Sequence, residues 1–191
     1  MLKGKIILIL GAGPEQLPAY KLCKLNFATI IGVDKNKSAP GLQFSDYKII
    51  TSIRDDKFLI KKILKLKKKI DAVLTVANDI PKIYYDISKK LKTKNISKIS
   101  AELSSDKIKL YDFLKKKNFN IPNYCLIKKI KDAKNFVSEN NFPLVIKPAD
   151  GRGSRGVYFI KNINKMPSLI NRCFKETKNK KLILQEYISG I

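Results

Sequence analysis

The chain has no histidine. Imidazole acid–base chemistry and histidine metal ligands are therefore excluded. Cysteine is scarce: Cys23, Cys125 and Cys173 are odd in number and stand at neither metal nor redox spacing. This predicts reduced thiols in a cytoplasmic protein. No apolar run is long enough to cross a bilayer, so no membrane partner is expected. The start, MLKGKIILILGAGPE, has a basic beginning and a short apolar core. Gly11-Ala12-Gly13 nevertheless fits a strand-to-helix turn better than the end of a signal peptide. Acidic residues are also few, 16 against 40 lysines and arginines, for a formal charge of +24. Such an excess invites a nucleic-acid reading. Yet Arg54, Arg152, Arg155 and Arg172 are the only arginines, and the lysines are spread along the chain. With isoleucine and asparagine also abundant, the pattern is what an AT-rich coding sequence would give. Specific recognition of nucleic acid draws on arginine, so only nonspecific binding at low salt is expected.

What is present reads as two successive α/β patterns. Lys5 to Leu10 is an apolar strand, followed by a tight turn at Gly11-Ala12-Gly13-Pro14, with Pro14 suited to a first helical turn. Leu17, Tyr20, Leu22 and Leu25 space a helix, and Ala28 to Val33 a second strand that ends at Asp34. A G-x-G turn with an acidic residue about twenty positions on matches part of a dinucleotide fingerprint. Gln16 occupies the third glycine position, so the fingerprint is incomplete. Asp34 on a ribose is one reading; glycines serving chain geometry in a Rossmann-like scaffold is the plainer one. A short strand near Tyr47 to Ile50, a helix from Phe58 to Leu66 and a buried strand from Ile70 to Val76 follow. Asn78 and Asp79 stand at the carboxyl end of that strand, where ligands of open α/β sheets collect. They could touch substrate or cap the next helix. Ile83, Ile87 and Leu91 mark that helix, and Ile96 to Ile99 reads as a last short strand. This alternation predicts a parallel, doubly wound sheet up to about Ser104.

The second pattern opens at Ser105 or Asp106, either of which can cap a helix with an apolar face of Leu110, Phe113 and Leu114. That helix is expected to end near Asn120-Ile121-Pro122. A strand at Cys125 to Ile127 and a helix around Ala133, Phe136 and Val137 come next. Then comes FPLVIKPADGRGSRGVYFI, from Phe142 to Ile160: a strand with Lys147 at its end, a glycine-rich loop and a second strand. Gly151, Gly153 and Gly156 permit close backbone approach, and successive N–H groups can form an anion-binding concavity. Arg152, Arg155 and the Ser154 hydroxyl add donors. The loop lacks Gly-Lys-Ser/Thr and runs into a strand, so it is not a Walker A loop. A phosphate flap and a solvated basic hairpin both fit the loop taken alone. A helix around Leu169, Ile170 and Phe174 precedes a last strand, Leu182 to Leu184, which ends in Gln185-Glu186-Tyr187-Ile188.

In their order and spacing, SSDKIKLYDFLKKKNFNIP, FPLVIKPADGRGSRGVYFI and LILQEYISG resemble the ATP-grasp superfamily. The likeness is to the carboxylate–amine ligases and to the carbamoyl-phosphate-synthase-like and biotin-carboxylase-like enzymes, and it covers roughly the second half of the chain. The resemblance implies an α/β fold: a Rossmann-like, parallel-sheet leading (pre-ATP-grasp) domain at 1–104, then the first α+β half of an ATP-grasp fold at 105–191. It implies a ligase that uses ATP and Mg²⁺ to activate a carboxylate as an acyl phosphate for attack by an amine. Lys147 would contact phosphate and adenine N7, and Lys107 would contact phosphate from the other side. Gly151, Gly153, Ser154 and Gly156 would fold over the phosphates. Gln185, Glu186 and Ile188 would hold the adenine edge, mainly through backbone groups. Many relatives have Glu where this chain has Gln185. Gly11, Gly13, Asn78 and Asp79 are the substrate candidates. Metal ligands and catalytic groups are expected beyond Ile191, with no metal site in this chain, so that it reads as a truncated ligase, inactive alone. Small-molecule partners follow from the resemblance, and a homodimer stays open. The alternatives are an NAD(P)-binding Rossmann-type protein and a basic nucleic-acid-binding module.

Overall fold

The computed structural model describes residues 2–151 and 153–190. Two compact units result, Met1–Glu102 and Leu103–Ile191.

The first unit is a parallel sheet. Its strands are β1 (Ile6–Leu10), β2 (Thr29–Asp34), β3 (Tyr47–Ile50) and β4 (Ala72–Thr75), in the order β3-β2-β1-β4. β1 is apolar throughout because it is covered on both faces. Alternation sends Leu8 and Leu10 into one cluster and Ile7 and Ile9 into another. The first cluster includes Leu59 and Ile63 of α2 (Asp56–Lys65) and Ile80 and Ile87, beside and within α3 (Pro81–Leu91). The second includes Tyr20 and Cys23 of α1 (Leu17–Leu25). Tyr20 is fully buried, and its hydroxyl donates to the Gly11 carbonyl at 3.0 Å. The helices thus lie on opposite faces, as the doubly wound reading requires. Asp55 caps α2 by accepting from the Phe58 N–H at 3.2 Å, satisfying a donor that the first turn leaves free.

The strand expected at Ile96 to Ile99 does not form. Those residues lead into a helix, α4 (Lys98–Leu103). Ser97 decides the outcome: its hydroxyl accepts from the Ser100 N–H at 2.9 Å, in the manner of an N-cap, and Ala101 takes the buried position one turn on.

The second unit begins with α5 (Lys107–Lys116), capped by Asp106, whose carboxylate accepts from Ile108 and Lys109 N–H. α5 ends at Lys116 rather than near Pro122, because Asn118 turns left-handed at φ 56° and the Phe119 N–H closes on the Leu114 carbonyl. Its expected apolar face is only partly covered: no residue of α5 is buried, and Phe113 is 37% exposed. An antiparallel sheet follows. It comprises β5 (Tyr124–Ile127), β6 (Leu144–Pro148), β7 (Tyr158–Ile160) and β8 (Leu182–Glu186), in the order β5-β8-β6-β7. Two helices, α6 (Ile130–Glu139) and α7 (Met166–Lys175), cover one of its faces. There Leu144, Ile146, Ile160, Leu182 and Leu184 pack with Phe136, Met166, Ile170 and Cys173. The other face carries Val145 and Lys147 from β6, with Gln185 paired to Val145 and Ile183 paired to Lys147. Phe159 of β7 also pairs with Val145 and joins that face.

Candidate nucleotide site

In the second unit, Lys147 and Gln185 emerge from the sheet face that α6 and α7 leave uncovered. Alternation along β6 places Lys147 there, with its stem half-buried. Lys147 Nζ donates to the Tyr111 hydroxyl at 3.0 Å, and the Tyr111 hydroxyl donates to Gln185 Oε1 at 2.8 Å. The ammonium also lies 5.3 Å from the centre of the Tyr111 ring, within cation–π reach. Tyr111 is itself held edge-to-face against Tyr124 at 4.8 Å. Tyr124 donates to Asp112 at 2.6 Å, and its phenol is pushed up to about 12 by burial and by that carboxylate. No carboxylate among the described residues stands within ion-pair distance of Lys147. A half-buried cation partnered only by a phenol is a strong attractor for an anion.

Lys107 reaches the same region from the first turn of α5, where its ammonium donates to the Gly151 carbonyl at the base of the loop. The loop base is tightly anchored. The Asp150 carboxylate accepts from the Thr177 hydroxyl at 2.7 Å and from the Lys178 and Asn179 N–H groups at 3.1 and 3.2 Å. Burial pushes the Asp150 carboxyl up, but these hydrogen bonds outweigh it and hold the group below its ordinary value. Gly156, at φ +71°, passes so close to α7 that a Cβ there would meet Glu176 Cβ at 2.8 Å and Pro148 Cγ at 2.9 Å. The tip is open: Gly153 and Ser154 are both exposed and left-handed, and a Cβ on Gly153 would meet nothing. Arg152 lies outside the described residues.

The adenine-edge candidates divide. Gln185 faces the lysine side. The Glu186 carboxylate turns instead to Asn123, accepting from its N–H at 2.9 Å, and the Glu186 N–H donates to the Asn123 carbonyl at 3.0 Å, which leaves the Glu186 carbonyl for a base. Ile188 follows β8 and is 61% exposed. Tyr187 and Phe159 form an edge-to-face pair at 4.8 Å beside it, an apolar surface of a kind that a purine ring can cover. Tyr111 escaped the sequence reading. It stands one turn from Lys107, at i+4, and that spacing was the available signal.

In the first unit, Gly11, Gly13, Asn78 and Asp34 line a cavity of ≈ 250 Å³ with Lys35 and Arg54. Gly11 is left-handed at φ +88°, and a Cβ there would strike Asn78 Nδ2 at 2.7 Å. Asn78 donates to the Leu10 carbonyl at 2.9 Å. Neither Asn78 nor Asp79 caps α3, whose N-cap is Ile80, and Asp79 is not among the lining residues. Gln16 Oε1 accepts the Gly13 N–H at 3.0 Å, and Asp34 accepts from Ala12 and Asn36 N–H at 2.9 Å each. The amide that a dinucleotide pyrophosphate would need is thus already taken, which counts against the NAD(P) alternative. Lys35 and Arg54 are lining residues that the sequence reading passed over. Both follow strand ends, which was the only hint.

Among the described residues, no group of three or more His, Cys, Asp or Glu side chains could hold a metal ion. No helix there is long and apolar enough to cross a membrane.

The family model of the ATP-grasp domain matches residues 104–191. A formate-dependent phosphoribosylglycinamide formyltransferase of Prochlorococcus marinus (strain MIT 9515) is 23% identical over 97% of this chain and 48% of its own length. The chain spans about half the length of the curated relatives it matches. Among solved structures, phosphoribosylglycinamide synthetase from Anaerococcus prevotii superposes with a TM-score of 0.67 at 25% identity, covering 97% of this chain and 46% of that one. N5-carboxyaminoimidazole synthetase from Staphylococcus aureus, complexed with ADP, superposes with a TM-score of 0.77 at 15% identity, covering 99% and 49%.

Proposed function

Residues 104–191 of this chain belong to the ATP-grasp superfamily, and from that premise we propose that the second unit binds ATP as part of a carboxylate–amine ligase. The observation that carries the reading is that one helix, α5, brings Lys107 to the loop base at Gly151 and, one turn on, Tyr111 to Lys147. The triphosphate would lie between the two ammonium groups and the N–H groups of Gly153, Ser154 and Gly156, since the Gly151 N–H is held by the Pro148 carbonyl at 3.2 Å. The base would lie against Gln185, the Glu186 backbone and Ile188. In a partly dry cleft these fixed donors offset phosphate charge without reorganising. Anchoring by Asp150 and the close passage of Gly156 keep the ends of the loop fixed while its tip stays open to a ligand.

Mg²⁺ would neutralise phosphate charge when bound, but the carboxylates described here do not cluster as its ligands. It would reach this unit only as part of the nucleotide complex. Activation of a carboxylate as an acyl phosphate, followed by attack of an amine, is the reaction class that the superfamily implies. The relatives' names point to small-molecule substrates, formate among them. Within 1–104, the cavity with Lys35 and Arg54 suits an anionic group of such a substrate, with Gly11, Gly13 and Asn78 shaping its wall. A cytoplasmic setting fits the free thiols of Cys23, Cys125 and Cys173.

Calorimetric titration of the 191-residue chain with ATP tests the assignment. Binding that weakens about 10- to 100-fold in Lys147→Ala and in Lys107→Ala is expected, since each removes a charge-assisted contact. ATP affinity indifferent to both substitutions would refute it.

A further inference from the structure

The Lys147–Tyr111–Gln185 chain has a fixed direction. An ammonium offers three donors and no acceptor, so the bond between Lys147 Nζ and the Tyr111 oxygen can run only one way. That bond occupies a lone pair of the hydroxyl and leaves its single hydrogen for another acceptor. Gln185 Oε1, at 2.8 Å, is the acceptor it meets. With its carbonyl oxygen turned to Tyr111, the Gln185 amide presents Nε2, a donor only, on its opposite side. Gln185 and Lys147 are each one hydrogen bond from the same oxygen and point from the same sheet face. That face therefore presents two donors side by side. A glutamate at the Gln185 position would present an acceptor instead.

Purine edges differ in the matching property. The edge with N7 and the 6-substituent offers two acceptors in guanine and hypoxanthine, but an acceptor and a donor in adenine. We propose that Tyr111 sets the base preference of this site: by holding Gln185 as a donor beside Lys147, it favours a 6-oxopurine nucleoside triphosphate over ATP. The inference rests on the nucleotide reading above and narrows its base. ATP is still held through its phosphates. Tyr111 is a specificity-setting residue that acts through Gln185, and its effect lies in the ratio of two affinities. A merely structural role would weaken both nucleotides alike.

The test is a pair of calorimetric titrations, ITP and ATP, on the intact chain and two variants. The unaltered chain is expected to bind ITP about tenfold more tightly than ATP, the worth of one matched against one mismatched hydrogen bond. Gln185→Glu, nearly isosteric, replaces the donor by an acceptor and should reverse the preference in favour of ATP. Tyr111→Phe frees the amide to turn over and should narrow the ratio to within about threefold, an effect smaller than one full hydrogen bond. GTP should follow ITP, since it carries the same edge. ATP bound as tightly as ITP by the unaltered chain, or a ratio unmoved by both substitutions, would overturn this inference and leave the nucleotide site standing. Failure of the unaltered chain to bind either nucleotide would overturn both.

Discussion

Alanine at Gly156 should cost far more than alanine at Gly153, although the two glycines lie in one loop with similar backbone angles. Both are left-handed, at φ +71° and +58°. A Cβ in that region costs about 1–2 kcal/mol at either position. The surroundings then separate them. At Gly153 the added methyl meets nothing within 4 Å. At Gly156 it meets Glu176 Cβ at 2.8 Å and Pro148 Cγ at 2.9 Å, and neither is the far end of a flexible side chain. Overpacking of this kind adds about 1–3 kcal/mol. Gly153→Ala should therefore lose about 1–2 kcal/mol and Gly156→Ala about 2–5 kcal/mol. Hydrogen exchange at the amides of β6 and β7, followed through a urea titration, reads the stability of the second unit separately from the first. Equal losses for the two variants would refute the reasoning, because the backbone angle alone would then explain both.

Asp150 gives a pH prediction. Its folded carboxyl lies below the ordinary value, so its contribution is complete above the unfolded value of about 3.9 and fades as pH falls through the lower folded one. Asp150→Asn should therefore lose stability near neutral pH and show a flatter acid limb than the unaltered chain, as circular dichroism across pH 2 to 6 would show; an unchanged limb would count against the anchor. The Cys125 and Cys173 thiols are pushed up to about 12, mainly by burial, helped by Asp132 and Glu176 respectively. Alkylation by iodoacetamide at pH 8 should be slow in the folded chain and rapid in urea, as peptide mass mapping would record. Leu144→Ala, at a fully buried position between the sheet and its helices, should cost about 2–5 kcal/mol in the same exchange experiment.

Much of the fold was legible because the signals are local. β1 is a continuous apolar run, α2 and α5 begin at side chains that can cap, and the loop from Gly151 to Gly156 carries its own chain reversal. The misreadings also have local causes. Ile96 to Ile99 is apolar enough for a strand, but the hydroxyl of Ser97 bonds Ser100 and starts a helix. The end of α5 was placed at a proline, whereas the left-handed Asn118 had already stopped it. Asn78 sits at the strand end where it was expected, yet its amide is spent on the Leu10 carbonyl, a partner 68 positions away.

The sequence by itself determined the order of strands and helices except at α4, the charge, the absence of histidine chemistry, and which residues are chemically able to meet a phosphate. Periodicity, capping and composition are properties of neighbouring residues, and they survive in one dimension. Only the tertiary structure decided how those residues are used. Tyr111 meets Lys147 across 36 positions and Gln185 across 74, so neither contact leaves a mark in the local pattern. The same holds for Glu186, whose carboxylate is claimed by Asn123 from 63 positions away. Pairing register chooses the face on which each side chain emerges, and a shift of one residue would have exchanged Gln185 for Glu186. The chemistry of the site was written in residue types; its direction, donor against acceptor, was set by the sheet.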